Sequence, residues 1–285
     1  MKKKIAPEKT AAAKARICFE RILPDSLDRG KMVRRAMLHA MDNDDGLTLD
    51  PEAVAEGRRM ALIRSKTWGA GHTLTCRFLD GSAKMKKSVE KYAKLWEKYA
   101  NVKIEFVPSG TADVRISFYA DDGSWSAVGT DSLNHDYFPL HQPTMNFGWV
   151  RDDTDADTIS GVVLHEFGHA LGCVHEHQSP EFERKWNTKN VYEYFQGPPN
   201  YWDPEDIKSN VLAKYPEKGI IASRFDMKSI MLYSFDAVLF SDHKGPTNEN
   251  TTISKMDMEM IAKLYPKTLG AAKPKPAAKK SPRRR

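Results

Sequence analysis

Apolar positions alternate from His72 onward. Leu74, Cys76 and Phe78 fall on every second residue of HTLTCRFLD, which predicts a strand. Met85, Val89, Tyr92, Trp96 and Tyr99 then recur at helical steps and predict one amphipathic helix. Alternation returns at Val102, Ile104 and Phe106 in VKIEFVP, and at Val114, Ile116 and Phe118 in DVRISFYA. DDGSWSAVGTD reads as turn-rich. A strand, helix, strand, strand order followed by a long helix predicts an α+β layer with a mixed sheet. SKMDMEMIAKLYP predicts a closing helix, with Ser254 and Asp257 as a capping box and Ile261 and Leu264 on its apolar face.

Upstream, the stretch from ICFERILPDSL to MALIRSK is helical in pattern, with Val33, Ala36, Met37, Ala40 and Met41 on one stripe. Asp50-Pro51 predicts an N-cap and first helical position, opening a second helix through Leu62. Three regions follow. Residues 1–66 read as a disordered start plus a helical accessory or pro-segment, 67–268 as the main folded domain, and 269–285 as a disordered basic tail.

Composition fits this division. The chain has 285 residues, 40% of them hydrophobic, which is enough for a substantial core. Seven of its positive charges lie in the last 13 residues, and the remainder carries 37 basic against 38 acidic side chains, about −1. The net charge of +6 therefore belongs to the tail. Such a tail reads as a solvated end, with association to nucleic acid or another polyanion as the alternative. No apolar run is long enough to span a bilayer. MKKKIAPEKTAAAKAR lacks the apolar core of a secretory signal, so a cytoplasmic location or export by a non-standard route are the expectations. Cys18, Cys76 and Cys173 are too few for a disulfide framework and read mainly as small buried residues.

The chemistry concentrates in VVLHEFGHALGCVHEHQSP. His165 and His169, four apart on a helix, share one face. Gly172 can end that helix in a left-handed turn, and His175 then returns toward the same centre. A catalytic zinc ion takes three protein ligands and keeps one position open. The pattern H-E-x-x-H-x-x-G-x-x-H meets that demand with His165, His169 and His175, and places Glu166 as general base. The reaction class is hydrolysis of a peptide bond by metal-activated water, with no covalent intermediate.

These residues resemble the metzincin zinc peptidases. SIMLYSF, from Ser229 to Phe235, resembles their Met-turn, with Met231 as the structural methionine. Glu176, directly after the third histidine, and Tyr233, two after the methionine, resemble the astacins within that group. The resemblance, strong at the two motifs, extends over roughly Trp68 to Pro266 and reaches bacterial astacin-like and matrixin-like peptidases. It implies a metzincin-like fold with an active-site helix and a mostly irregular or helical C-terminal half. It also implies one catalytic zinc ion, a protein or peptide substrate, and Tyr233 as an oxyanion helper. In astacins the residue matching Glu176 meets the processed N-terminus, so cleavage before Trp68 is expected to raise activity. The cysteines are too few for the usual astacin disulfides, the Phe-x-Gly-Asp latency motif is absent, and His177 is an addition to the pattern.

DVRISFYADDGSWSAVGTD lies where metzincins place the edge strand above the cleft, where an extended peptide could add backbone hydrogen bonds. The acids of DDTDADTIS, Asp152 to Ser160, suit the start of the zinc helix, with a calcium site as the alternative. His135 and His141 read as surface histidines. Cys18 could serve as a latency thiolate, but ICFERILPD lacks the matrixin cysteine-switch sequence, which favours a plain buried thiol. QGPPNYWDPEDI reads as a wall of the C-terminal half. A catalytically inert zinc module that binds a partner is a further alternative, disfavoured by the intact Glu166 and Tyr233.

Overall fold

The computed structural model describes Cys18, Arg21 and residues 66–197, 201–215 and 225–267. The expectations for helices between residues 22 and 62 and for the basic tail lie outside the described residues.

Five strands form one sheet: β1 (Thr73–Phe78), β2 (Lys103–Phe106), β3 (Val114–Ser117), β4 (Ser124–Ser126) and β5 (Met145–Phe147), in the order β2-β1-β3-β5-β4. The first four in that order run parallel, and β4 is antiparallel to β5 at the edge. The expected mixed sheet is therefore present. Leu74, Cys76 and Ile104 point into the core as their alternation requires. β3 is central, and all four of its residues are buried. Arg115 is accommodated there because its guanidinium donates to the carbonyls of Gln142 at 2.8 Å and Phe138 at 2.7 Å.

Two expectations need correction. The helix expected to run through Tyr99 ends earlier: α1 spans Ala83–Ala93, and a tighter turn, Trp96–Lys98, carries Trp96. Glu97 in this turn accepts the N–H of Ile104 at 2.7 Å, which ties the turn to β2. Within DVRISFYADDGSWSAVGTD, where an edge strand is expected, DVRISFYA forms the central β3 and the edge lies further along. The edge is β4, inside the stretch that reads as turn-rich. Three residues are too few for alternation to declare itself, and β5 escapes notice for the same reason.

α2 (Ala156–Ala170) packs against α1, and both share the main core with the sheet. Trp96 joins them by donating its indole N–H to the carbonyl of Leu164 at 3.1 Å. The chain then builds a second apolar cluster around Phe182, Phe195, Ile207, Phe235 and Phe240, with α3 (Thr188–Gln196) and the short α4 (Pro204–Ile207). Trp202 stacks on Phe195 at 5.2 Å and Asp203 caps α4, so the described part of the Pro/aromatic loop does form a wall of this half. α5 (Lys255–Leu264) has the expected capping box and returns Ile261 and Tyr265 to the main core. No described helix is long and apolar enough to cross a membrane.

Candidate active site

The site is built on the end of α2. Asp155 opens this helix as its N-cap, accepting the N–H groups of Asp157 at 3.1 Å and Thr158 at 2.9 Å. That is the helix-start role expected for the acids before it. At the other end Gly172 has φ +91°, its N–H bonds the carbonyl of His169, and the N–H of Cys173 bonds that of Gly168. This pair of bonds is a Schellman motif, which needs a residue free to adopt the left-handed region. Trp68 and Tyr265 satisfy the next two carbonyls, donating to Ala170 at 2.7 Å and to Leu171 at 2.9 Å. The turn that returns His175 is thus fixed by both backbone and aromatic side chains.

His165, His169 and His175 converge. The Nε2 of His169 lies 3.1 Å from the Nε2 of His165 and 3.1 Å from that of His175. The Nδ1 of His165 faces the carbonyl of Ile230 at 2.8 Å, and the Nδ1 of His169 faces that of Cys173 at 2.9 Å. A carbonyl accepts, so each Nδ1 carries the proton and each Nε2 presents a lone pair. Burial pushes the His165 imidazole down to about 4, and holds His169 and His175 well below the usual range, which keeps the rings neutral. Lone pairs facing one another at this distance repel unless a cation lies between them.

A tetrahedral zinc site fits. With usual zinc–ligand lengths, two nitrogens should lie about 3.3 Å apart, and a sulfur and a nitrogen about 3.6 Å apart. Cys18 supplies the sulfur: its Sγ is 3.5 Å from the Nε2 of His169 and 3.7 Å from that of His175. All four donor atoms lie within 4.8 Å of one another. The same sulfur is 3.6 Å from Oε2 of Glu166, which is buried beside it.

The Met-turn residues lie under this centre. Ile230 gives its carbonyl to His165, and Met231 gives its own to the N–H of Glu176 at 3.0 Å. Gly168 makes room for the methionine: a Cβ there would lie 2.4 Å from the Met231 sulfur. The turn is held by Asp257 at the start of α5, which accepts the N–H of Ile230 and the hydroxyl of Ser229, both at 2.8 Å. Tyr233 lies above, in contact with the His175 ring, and donates its hydroxyl to the backbone carbonyl of Cys18 at 2.7 Å.

Comparison with known proteins agrees with this geometry. The matrixin family model matches residues 67–189. A solved structure of myroilysin is 38% identical, with a TM-score of 0.70, and the match covers 73% of this chain and 100% of that one. The chain belongs to the metzincin zinc peptidases. A second myroilysin structure is 34% identical, with a TM-score of 0.56, over 78% of this chain and 99% of that one. Among curated relatives of this metzincin, zinc metalloproteinase nas-30 of Caenorhabditis elegans is 24% identical over 73% of this chain and 26% of its own. Protein SpAN of Strongylocentrotus purpuratus is 22% identical over 76% of this chain and 34% of its own. The chain thus spans about a quarter to a third of the length of those two relatives.

Within this metzincin, the remaining expectations divide. Cys18 is not a plain buried thiol, because its sulfur stands on the histidines. A short consensus around a cysteine cannot show this, since the position is set by the path of the chain and not by neighbours in sequence. Cys76 and Cys173 are buried thiols in the core. His177 finds an ordinary explanation: it is buried, its Nε2 meets the carbonyl of Asn210 at 3.0 Å, and its ring stacks on His175 and meets Phe235 edge-on. It ties the turn after the third histidine to the second apolar cluster. His141 is exposed and His135 half-buried. The Glu176 carboxyl is buried, accepts the N–H of Asp226 at 2.9 Å, and is pushed up to about 8 by that burial. Gly168 and Asp257 are site residues that the sequence pattern does not single out. Gly168 stands in the motif itself, at a position the zinc pattern leaves open. Asp257 reads as a helix cap, and its second role depends on a contact 27 residues away.

Proposed function

We propose that this chain is a zinc-dependent endopeptidase that hydrolyses peptide bonds in protein or peptide substrates, and that Cys18 holds it latent. The observation that carries the reading is the triangle of neutral histidine nitrogens, with the tautomers of His165 and His169 locked by backbone carbonyls. His165, His169 and His175 would hold the ion. Zinc bound there would acidify a water toward a pKa of about 7 and polarise the substrate carbonyl.

The chain's own groups then act in order. Glu166 takes a proton from the attacking water and delivers it to the departing amine. Tyr233 donates its hydroxyl to the carbonyl oxygen as negative charge develops there. Its present hydrogen bond, to the carbonyl of Cys18, occupies the same kind of acceptor. Met231 and Gly172 hold the frame. With the ion bound, the Cys18 sulfur would be held as thiolate where substrate and water need to enter, and displacing it would open the site. The full chain should therefore cleave little until Cys18 is removed. A casein or peptide assay on Cys18→Ala, with and without a zinc chelator, and on Cys18→Ala/Glu166→Ala tests the reading. Zinc-dependent cleavage lost in the double variant is expected. Equal cleavage with and without Glu166 overturns it.

A further inference from the structure

Cys18 is not the sole contact of the N-terminal segment with the cleft. Three residues on, Arg21 meets the edge strand. Its backbone forms a parallel bridge with Ala127, with its N–H 3.5 Å from the carbonyl of Ser126. Its guanidinium carbon lies 3.5 Å above the centre of the Trp125 ring. The same guanidinium donates to both carboxylate oxygens of Asp122 at 3.3 Å. Asp122 in turn accepts the Trp125 indole N–H at 2.7 Å, which fixes ring and carboxylate relative to each other. A flat, buried aromatic face and a fixed carboxylate together recognise a planar cation.

The setting makes this more than a surface ion pair. Both described residues of the segment meet the cleft: Cys18 stands at the histidines with its carbonyl on Tyr233, and Arg21 pairs with the chain at β4. Three residues of chain span at most about 10 Å, so the cradle lies within a few positions of the reacting bond. A substrate that replaces the segment along β4 reaches the same ring and carboxylate.

We propose that Asp122 and Trp125 form a substrate subsite for a basic side chain, arginine above lysine, which Arg21 occupies in the latent chain. The proposal rests on the endopeptidase reading and adds its specificity. Arginine is preferred because only its planar guanidinium both stacks on the indole and meets two carboxylate oxygens.

The test uses the full chain carrying Cys18→Ala and Arg21→Ala, so that metal position and cradle are both open. It is profiled against peptides with arginine, lysine, citrulline or norleucine placed in turn at each position flanking the cleaved bond. Asp122→Asn, whose side chain is half-exposed, and Trp125→Phe are then added singly. At one position, arginine should exceed norleucine by roughly tenfold in kcat/KM, mostly through KM, with citrulline near norleucine. Asp122→Asn and Trp125→Phe should each bring the ratio of arginine to norleucine toward one. Cleavage that is indifferent to arginine at every position, or a preference that survives both variants, overturns the subsite and leaves the peptidase reading standing. Failure of the zinc-loaded parent to cut any peptide overturns the peptidase reading, and the subsite with it.

Discussion

The Asp257 carboxylate accepts the backbone N–H of Ile230 at 2.8 Å, and the carbonyl of the same Ile230 faces the Nδ1 of His165 at 2.8 Å. One peptide-bonded residue thus connects the closing helix to the first histidine. Asp257 also accepts the N–H of Ser254 and the hydroxyl of Ser229, so its buried charge meets three donors. Removing it leaves those donors unsatisfied in the interior. Asp257→Ala is expected to cost about 3 kcal/mol of stability and to weaken zinc binding through His165. Thermal unfolding and titration against a competing chelator measure both effects. Unchanged zinc affinity in a folded variant would confine Asp257 to a capping role.

Gly168 and the Met231 sulfur share one space beneath the histidines. Gly168→Ala would put a methyl group 2.4 Å from that sulfur. The methionine must move, and the turn beneath the site moves with it. We expect a loss of about 1–3 kcal/mol together with reduced activity. Gly168→Ala/Met231→Ala should recover part of the stability if the clash is the cause. Additive losses in a double-mutant cycle would place the cause elsewhere.

Tyr233 separates binding from rate. Tyr233→Phe keeps the ring that stacks on His165 and packs tilted against His175 but lacks the hydroxyl. In the Cys18→Ala background, kcat is expected to fall about 10- to 100-fold with KM little changed. A rise in KM alone would make Tyr233 a substrate-binding residue.

Zinc removal should be visible without substrate. Stripping the ion leaves histidine lone pairs facing one another at 3.1 Å in the interior. Saturating zinc at about a thousandfold above its Kd stabilises a protein by roughly 4 kcal/mol. A chelator should therefore lower Tm by several degrees, and added zinc should restore it. Cys18→Ala should retain a smaller zinc-dependent shift, because three ligands remain. Identical shifts in parent and variant would exclude the sulfur as a ligand.

The centre of this protein is legible in the order of its residues. Two histidines four apart, a glycine at the helix end and a third histidine after it are a local demand. Helix periodicity and the left-handed turn convert it directly into geometry. The alternation of β1, β2 and β3 and the capping box of α5 are local in the same sense. Only the tertiary structure decided what depends on distant contacts. β4 and β5 are three residues each, and sheet pairing defines them more than propensity does. Asp257 becomes a support for His165 because α5 packs beneath the Met-turn. Cys18 comes to the histidines across 151 residues of sequence separation, and Arg21 to Asp122 across 101. No local pattern encodes such an approach, since it is fixed by where the chain can run once the core has formed.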